Sequence, residues 1–212
     1  MATMSNNSVT PSGRATHFTI RPSILYFGTP VLLVSTLNPD STPNLAPMSS
    51  AWALGYTIVL GLGRHGRTAA NLERERECVL NLPSPDMWEN VERLAPLTGE
   101  NPVPVDKADA FRYEPRKFEA SGLTPERSEV VKPPRVKECP IQLEATVVAM
   151  HSSTSQTFVI VETDVQRVHA HRDIVKHGSS HIDPERWSPL LYVFRHYVAG
   201  GARLGKTFRA EA

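Results

Sequence analysis

Little in this sequence points toward export, membranes or polyanions. There are only two cysteines, Cys78 and Cys139. They form no C-x-x-C pair and sit in apolar surroundings, the pattern of reduced, buried thiols in a cytoplasmic protein. The first seventeen residues are polar and hold no apolar core of signal-peptide length, so export is not expected. The longest uncharged apolar stretch, residues 51–63, is too short and too rich in glycine to span a bilayer. An excess of one charge is missing as well: 23 basic residues face 22 acidic ones, for a net charge of +1. With no basic face, neither nucleic acid nor a membrane is an expected partner. No internal repeat appears, and no G-x-S-x-G elbow or general base would activate Ser49 as a hydrolytic nucleophile.

What is present is one large domain's worth of chain, 212 residues, with one especially informative stretch. Residues 57–77 read TIVLGLGRHGRTAANLERERE. An apolar β-run ends in glycines, and a helix is predicted to start at once, over residues 68–77. Backbone N–H groups at a helix start, with Arg64, Arg67 and the Thr68 hydroxyl beside them, make a seat for a phosphate. The charges of residues 74–77 read as a solvated helix face with no function of their own.

Gly61, Gly63 and Gly66 also fit G-x-G-x-x-G, with Asp86 twenty residues after Gly66. That is the dinucleotide-binding fingerprint, and three features count against it. About fifty residues of strand-like sequence precede the motif, where a Rossmann first strand opens its domain. Asp86 follows Pro83 and Pro85, so it lies in a proline-broken turn. Beyond residue 90 the strand–helix alternation of a doubly wound sheet is missing.

Along the chain, residues 1–17 form a flexible tail and residues 18–208 a single domain. Residues 23–36 read as one strand, with a break at residues 28–30. A turn over residues 38–43 leads to a second strand at 44–53 and a third at 56–62. Strands joined by short turns are antiparallel neighbours, so this part reads as a meander. Residues 78–82 make a fourth strand, stopped by Pro83. Residues 83–140 hold ten of the eighteen prolines, with helical stretches at 86–94 and 106–113. Trp88, Phe111, Tyr113 and Phe118 make this excursion too apolar for a linker, so it packs on a barrel or on a second subunit. Residues 141–150 and 157–168 form a hairpin, and residues 190–197 a last strand.

An antiparallel meander, one helix after its third strand and a late hairpin suggest a small closed barrel. The residues also resemble a known family, the FMN-binding split barrels, in their flavin reductase-like branch. The resemblance runs from about Thr19 to Phe208. It rests on Asn44-Leu-Ala-Pro-Met-Ser-Ser50, Gly63-Arg-His-Gly-Arg-Thr68, Cys78-Val-Leu-Asn-Leu82, Glu138-Cys-Pro140 before Leu143-Glu144, and Pro189-Leu-Leu-Tyr-Val-Phe-Arg-His-Tyr197, in that order. It implies a mainly β fold with α: a split β-barrel of antiparallel, Greek-key-like strands, a few helices and a loop-rich insertion. It also implies FMN as cofactor, lying in a groove at the barrel edge and at a homodimer interface.

The resemblance assigns the FMN contacts to Asn44, Ala46, Pro47, Met48, Ser49 and Ser50 along the ring and ribityl chain. Pro47 stiffens the backbone there, and the two serines offer small donors. Arg67 and Thr68 take the phosphate, with Arg64 or His65 assisting. NAD(P)H is the expected co-substrate, delivering hydride to the flavin, which passes electrons to free flavin or another small-molecule acceptor. Such chemistry belongs to the cofactor and asks for no side-chain acid or base, so no catalytic residue is assigned. An electron carrier or sensor that holds FMN without oxidising NAD(P)H is the alternative.

The histidines are less informative. His169 and His171 share a strand face, and His177 and His181 lie four apart, but no acidic or cysteine ligand has matching spacing. No metal is therefore expected. His181 or His196 could instead lie near the flavin.

Overall fold

The two edges of the main sheet are consecutive in the chain, and this fixes the architecture. The computed structural model describes residues 17–202 and 204–205. Its strands are β1 (Phe27–Pro30), β2 (Leu32–Leu37), β3 (Pro43–Met48), β4 (Ala51–Leu54) and β5 (Thr57–Gly63). Helix α1 (Arg67–Glu75) follows, then β6 (Glu77–Leu82) and α2 (Trp88–Leu94). Next come the two-residue strands β7 (Leu97–Thr98) and β8 (Arg112–Tyr113), helix α3 (Lys117–Ser121), β9 (Pro125–Glu126) and β10 (Arg135–Val136). The long hairpin β11 (Ile141–Ser152) and β12 (Phe158–Ala170) and the short pair β13 (Leu191–Val193) and β14 (His196–Val198) complete the fold.

Seven strands pair antiparallel in the order β3-β2-β6-β11-β12-β5-β4. Only Ser49 and Ser50 separate the edge strands β3 and β4, so the sheet curls until its edges meet at that joint. The result is a split barrel. An antiparallel sheet has no βαβ unit, which removes the dinucleotide-binding reading of the three glycines.

Burial on both faces explains why β2 opens on the apolar run Leu32-Leu33-Val34. Leu32 and Val34 face the barrel interior with Leu60, Leu62, Cys78, Leu80, Val161 and, from α1, Ala69 and Leu72. Leu33 faces the other way and packs with Leu45 against Val91 and Leu94 of α2 and Phe118 of α3. A strand buried on both faces reads as a continuous apolar run. The excursion is therefore a second layer on the barrel, tied down by buried polar groups. Asn81 donates to Leu33 O at 2.9 Å and accepts from Val136 N at 2.8 Å. Glu144, wholly buried, accepts backbone N–H bonds from Glu129, Val130 and Val131 and a bond from His169 at 2.7 Å. Burial alone would raise its pKa, but these donors outweigh it and hold the carboxyl below its usual value. Both cysteines are free and buried; burial pushes the Cys78 thiol up to about 12 and Cys139 well above its ordinary value.

Several expectations need correction. Residues 23–36 are two strands in different sheets: β1 pairs β13, with Gly28 at φ +109° in a bulge of that pairing, and β2 joins the barrel. Residues 44–53 split at Ser49–Ser50 and send their halves to opposite edges, so the N-terminal strands are not a meander. Helix α1 ends at Glu75, because Arg76 adopts φ 57° and its N–H caps Leu72 O. In place of the helix expected at 106–113 stand a 3-10 turn, Val105–Lys107, and the short strand β8. Residues 190–197 are a hairpin whose turn residues, Phe194 and Arg195, take φ 42° and 71°. The expected tail lies outside the described residues except for His17.

Candidate functional site

Strand β5 delivers the chain to α1 through Gly66, which occupies the N-cap in an extended conformation with no side-chain cap. No acidic residue stands in the first turn. The leading N–H groups of α1 are thus left to a ligand. They border a cavity of about 200 Å³ lined by Ala46, Pro47, Gly66, Arg67, Thr68 and, from the excursion, Gly99, Lys107, Phe111 and Lys117.

Each polar group there is held in place. Asn44 is buried, and its Nδ2 donates to Thr36 Oγ1 at 3.1 Å and to Thr68 Oγ1 at 3.2 Å. That leaves the Thr68 hydroxyl proton directed elsewhere. Arg67 donates from Nε to Gly99 O at 3.1 Å and pairs with Glu100 at 3.0 Å. Gly99 is required here, since a Cβ would stand 3.0 Å from both Arg67 Cγ and Asn44 Oδ1. Lys117 opens α3 and is only 4% exposed, because its neighbour Phe118 is anchored in the core. Its ammonium makes no hydrogen bond or ion pair among the described residues. Burial, with Lys107 and Arg67 nearby, pushes it down to about 8 against the opposing pull of Glu100. A buried, unpartnered cation beside a helix start is a seat for an anion.

Pro47, Ala95 and Phe111 are shared with a larger cavity of about 590 Å³, lined also by Met48, Ser49, Tyr26, Tyr192, Arg195 and Tyr197. Its rings pack at an angle: Tyr26 and Tyr192 edge to face at 5.5 Å between centroids, Tyr192 and Tyr197 tilted at 5.6 Å. Tyr26 bonds Ser50 Oγ at 2.6 Å, which fixes the barrel joint to the aromatic wall. Tyr197 donates to Glu92 at 3.0 Å, and burial and that carboxylate raise its pKa. The two cavities form one trough with a cationic end and an aromatic end.

Of the ten residues expected at the site, Ala46, Pro47, Met48, Ser49, Arg67 and Thr68 line this trough. Asn44 lies beneath it as a support, and Ser50 faces Tyr26 at the joint. Arg64 and His65 lie apart from it. Arg64 donates to Ser152 on the β11–β12 hairpin, and His65 is exposed in the turn before Gly66. Neither His181 nor His196 lines the trough; His196 borders a neighbouring cavity. Sequence reasoning missed Lys107, Lys117 and the three tyrosines. Tyr192 and Tyr197 fell within a family signature, whereas Lys117 carried no pattern of its own.

Fold and trough together define a split-barrel protein with a trough that is cationic at one end and aromatic at the other. The family profile of the flavin reductase like domain matches residues 24–201, and the chain belongs to that family. It is 50% identical over 194 residues to the uncharacterized protein YdfE of Bacillus subtilis (strain 168), covering 91% of this chain and 93% of that one. Among solved structures, the flavoredoxin of Desulfovibrio vulgaris (Miyazaki F) superposes with a TM-score of 0.74 at 24% identity, covering 93% of this chain and 99% of that one. Nitrilotriacetate monooxygenase component B from Bacillus cereus gives 0.72 at 19% identity, covering 91% and 100%. These likenesses establish the fold. No helix among the described residues is long and apolar enough to cross a membrane.

Proposed function

We propose that the trough holds FMN and that the protein is an NAD(P)H-dependent flavin oxidoreductase. The observation that carries this reading is Lys117, a buried cation that makes no hydrogen bond or ion pair among the described residues and lines the cavity at the uncapped start of α1. With Arg67 and the Thr68 hydroxyl it forms a donor set for a terminal phosphate. The larger cavity falls within the size range of small-ligand sites, and its tyrosine wall suits a flat ring system. Bound FMN would supply the redox chemistry, taking hydride from NAD(P)H and passing electrons to free flavin or another small-molecule acceptor. The chain's own residues orient the ligand, neutralise its phosphate and exclude water from one face.

The partner we propose is a second copy of the chain. Trp52 and Leu54 on the edge strand β4, and Phe158 and Ile160 on β12, are exposed on the outer face of the sheet. An apolar face of this kind is characteristic of an interface. Two buried free thiols and the balanced charge fit a cytoplasmic protein with no nucleic-acid or membrane partner.

A carrier or sensor that holds FMN without oxidising NAD(P)H is the second reading, favoured by the likeness to flavoredoxins. One experiment separates the two. The purified chain is mixed with FMN, freed of unbound flavin and given NADH or NADPH without oxygen. Rapid bleaching supports the reductase, and retained colour that does not bleach supports the carrier. A chain that retains no flavin and does not oxidise NAD(P)H with FMN in steady state contradicts both.

A further inference from the structure

Beyond the tyrosine wall lies a second open cavity, of about 600 Å³, lined by Pro85, Trp88, Leu190, His196, Val198 and Ala199. Glu92, Arg195 and Tyr197 line both this cavity and the aromatic end of the trough. The hydrogen-bonded pair Tyr197–Glu92 is thus a bar between two compartments. The row of rings continues across it: Trp88 lies 6.3 Å from Tyr197, tilted by 41°, and is 45% exposed. An indole left that open, over an apolar floor, is a surface for stacking.

Two charged groups stand on the bar. The Arg195 guanidinium makes no hydrogen bond or ion pair among the described residues, although it lines the same cavities as the Glu92 carboxylate. Only Glu92 Oε2 is engaged, by the Tyr197 hydroxyl. Arg195 is held in this position by its turn: its φ is 71°, and the preceding Phe194 N–H donates to Tyr26 O at 2.7 Å. The backbone therefore sets Arg195 at the border of both cavities, where its exposed guanidinium lies beside an aromatic surface with a spare acceptor near it.

We infer that this cavity binds a small aromatic carboxylate that also carries a ring hydroxyl or amine. The carboxylate meets Arg195, the ring stacks on Trp88, and the ring donor reaches Glu92. A ligand of this class bridges two charges that the fold keeps apart, whereas a plain aromatic anion would leave Glu92 opposed. That the cavity adjoins a bound flavin rests on the proposed function; that it takes an aromatic acid does not.

The test is calorimetric titration of the full chain, as purified and again with FMN added, with 3-hydroxybenzoate as probe and benzoate and phenol as controls. Saturable binding of 3-hydroxybenzoate at or below about 1 mM is expected, with each control at least about fivefold weaker. Arg195→Asn, which keeps a residue tolerant of positive φ, should weaken 3-hydroxybenzoate at least about tenfold and change phenol by less than about twofold. No saturable binding below about 10 mM overturns the inference, as does equal binding of all three compounds. So does an Arg195→Asn variant that weakens phenol as much as the acid. Should this variant fail to fold, the comparison of the three compounds on the unaltered chain decides. FMN binding lost while 3-hydroxybenzoate binding persists sinks the proposed function alone, and the converse sinks this inference alone.

Discussion

The two ends of the trough are built by opposite strategies. At the cationic end, Thr68 is fixed by Asn44, Arg67 by Gly99 and Glu100, and Lys117 by the burial of Phe118 beside it. Each group is held before any ligand arrives, and the cavity is small. The aromatic end is wide and open, its rings tied to the frame through Tyr26 to Ser50 and Tyr197 to Glu92. Affinity for an anion gains from fixed donors, since little entropy is lost on binding. Ring stacking tolerates sliding and so permits a looser wall. The cationic end should therefore set how tightly a phosphorylated ligand binds, and the aromatic end should tell flavins apart poorly.

The largest expected effect breaks the cationic end. Arg67→Ala with Thr68→Ala should weaken FMN about 100-fold, the loss of two charge-assisted bonds to phosphate, and weaken riboflavin less than about threefold. Fluorescence titration with both flavins measures the ratio. The next effect is a pH dependence. Lys117 has a pKa depressed to about 8, so its charge is present below that pH and lost above it. A phosphate held by Lys117 raises that pKa, so FMN affinity should fall about tenfold from pH 7 to 9. The fall should vanish in Lys117→Gln, and a pH series of titrations on both chains checks this.

At the other end, Tyr192→Ala should weaken FMN and riboflavin alike, by about five- to tenfold, as expected for the loss of one ring contact. Unequal losses would show that the two ends are coupled. The smallest effect belongs to Arg64, which is committed to Ser152 away from the trough. Arg64→Ala should change FMN affinity by less than about threefold, so two arginines only three residues apart should differ sharply. A larger loss would move the phosphate seat toward the β11–β12 hairpin.

The same contrast explains what was legible in the sequence. The start of α1 is a local motif: strand, glycines, arginine and threonine lie within a dozen residues, the pattern from which we propose an anion seat. The aromatic wall is assembled from Tyr26, Tyr192 and Tyr197, and only the fold brings those positions together. Lys117 comes from an excursion whose prolines erase periodicity, so nothing marked its burial. Arg64 turns toward Ser152 instead, because adjacency to the motif does not say which way a turn residue points. In the fold, the long hairpin followed from alternating apolar residues, and β6 from a short apolar run stopped by Pro83. The split of residues 44–53 did not, because a strand that leaves one sheet edge and joins the other keeps its alternation, and the joint Ser49–Ser50 is a weak break signal.

The central claim is that a phosphate is bound at the start of α1 beside Lys117. Titration of the flavin-free chain with FMN and with riboflavin at pH 7, repeated on Lys117→Gln, tests it most directly. The account predicts that FMN binds at least about 30-fold more tightly than riboflavin, and that most of this advantage disappears in the variant. Equal affinity for the two flavins, or an advantage that survives in Lys117→Gln, would contradict it.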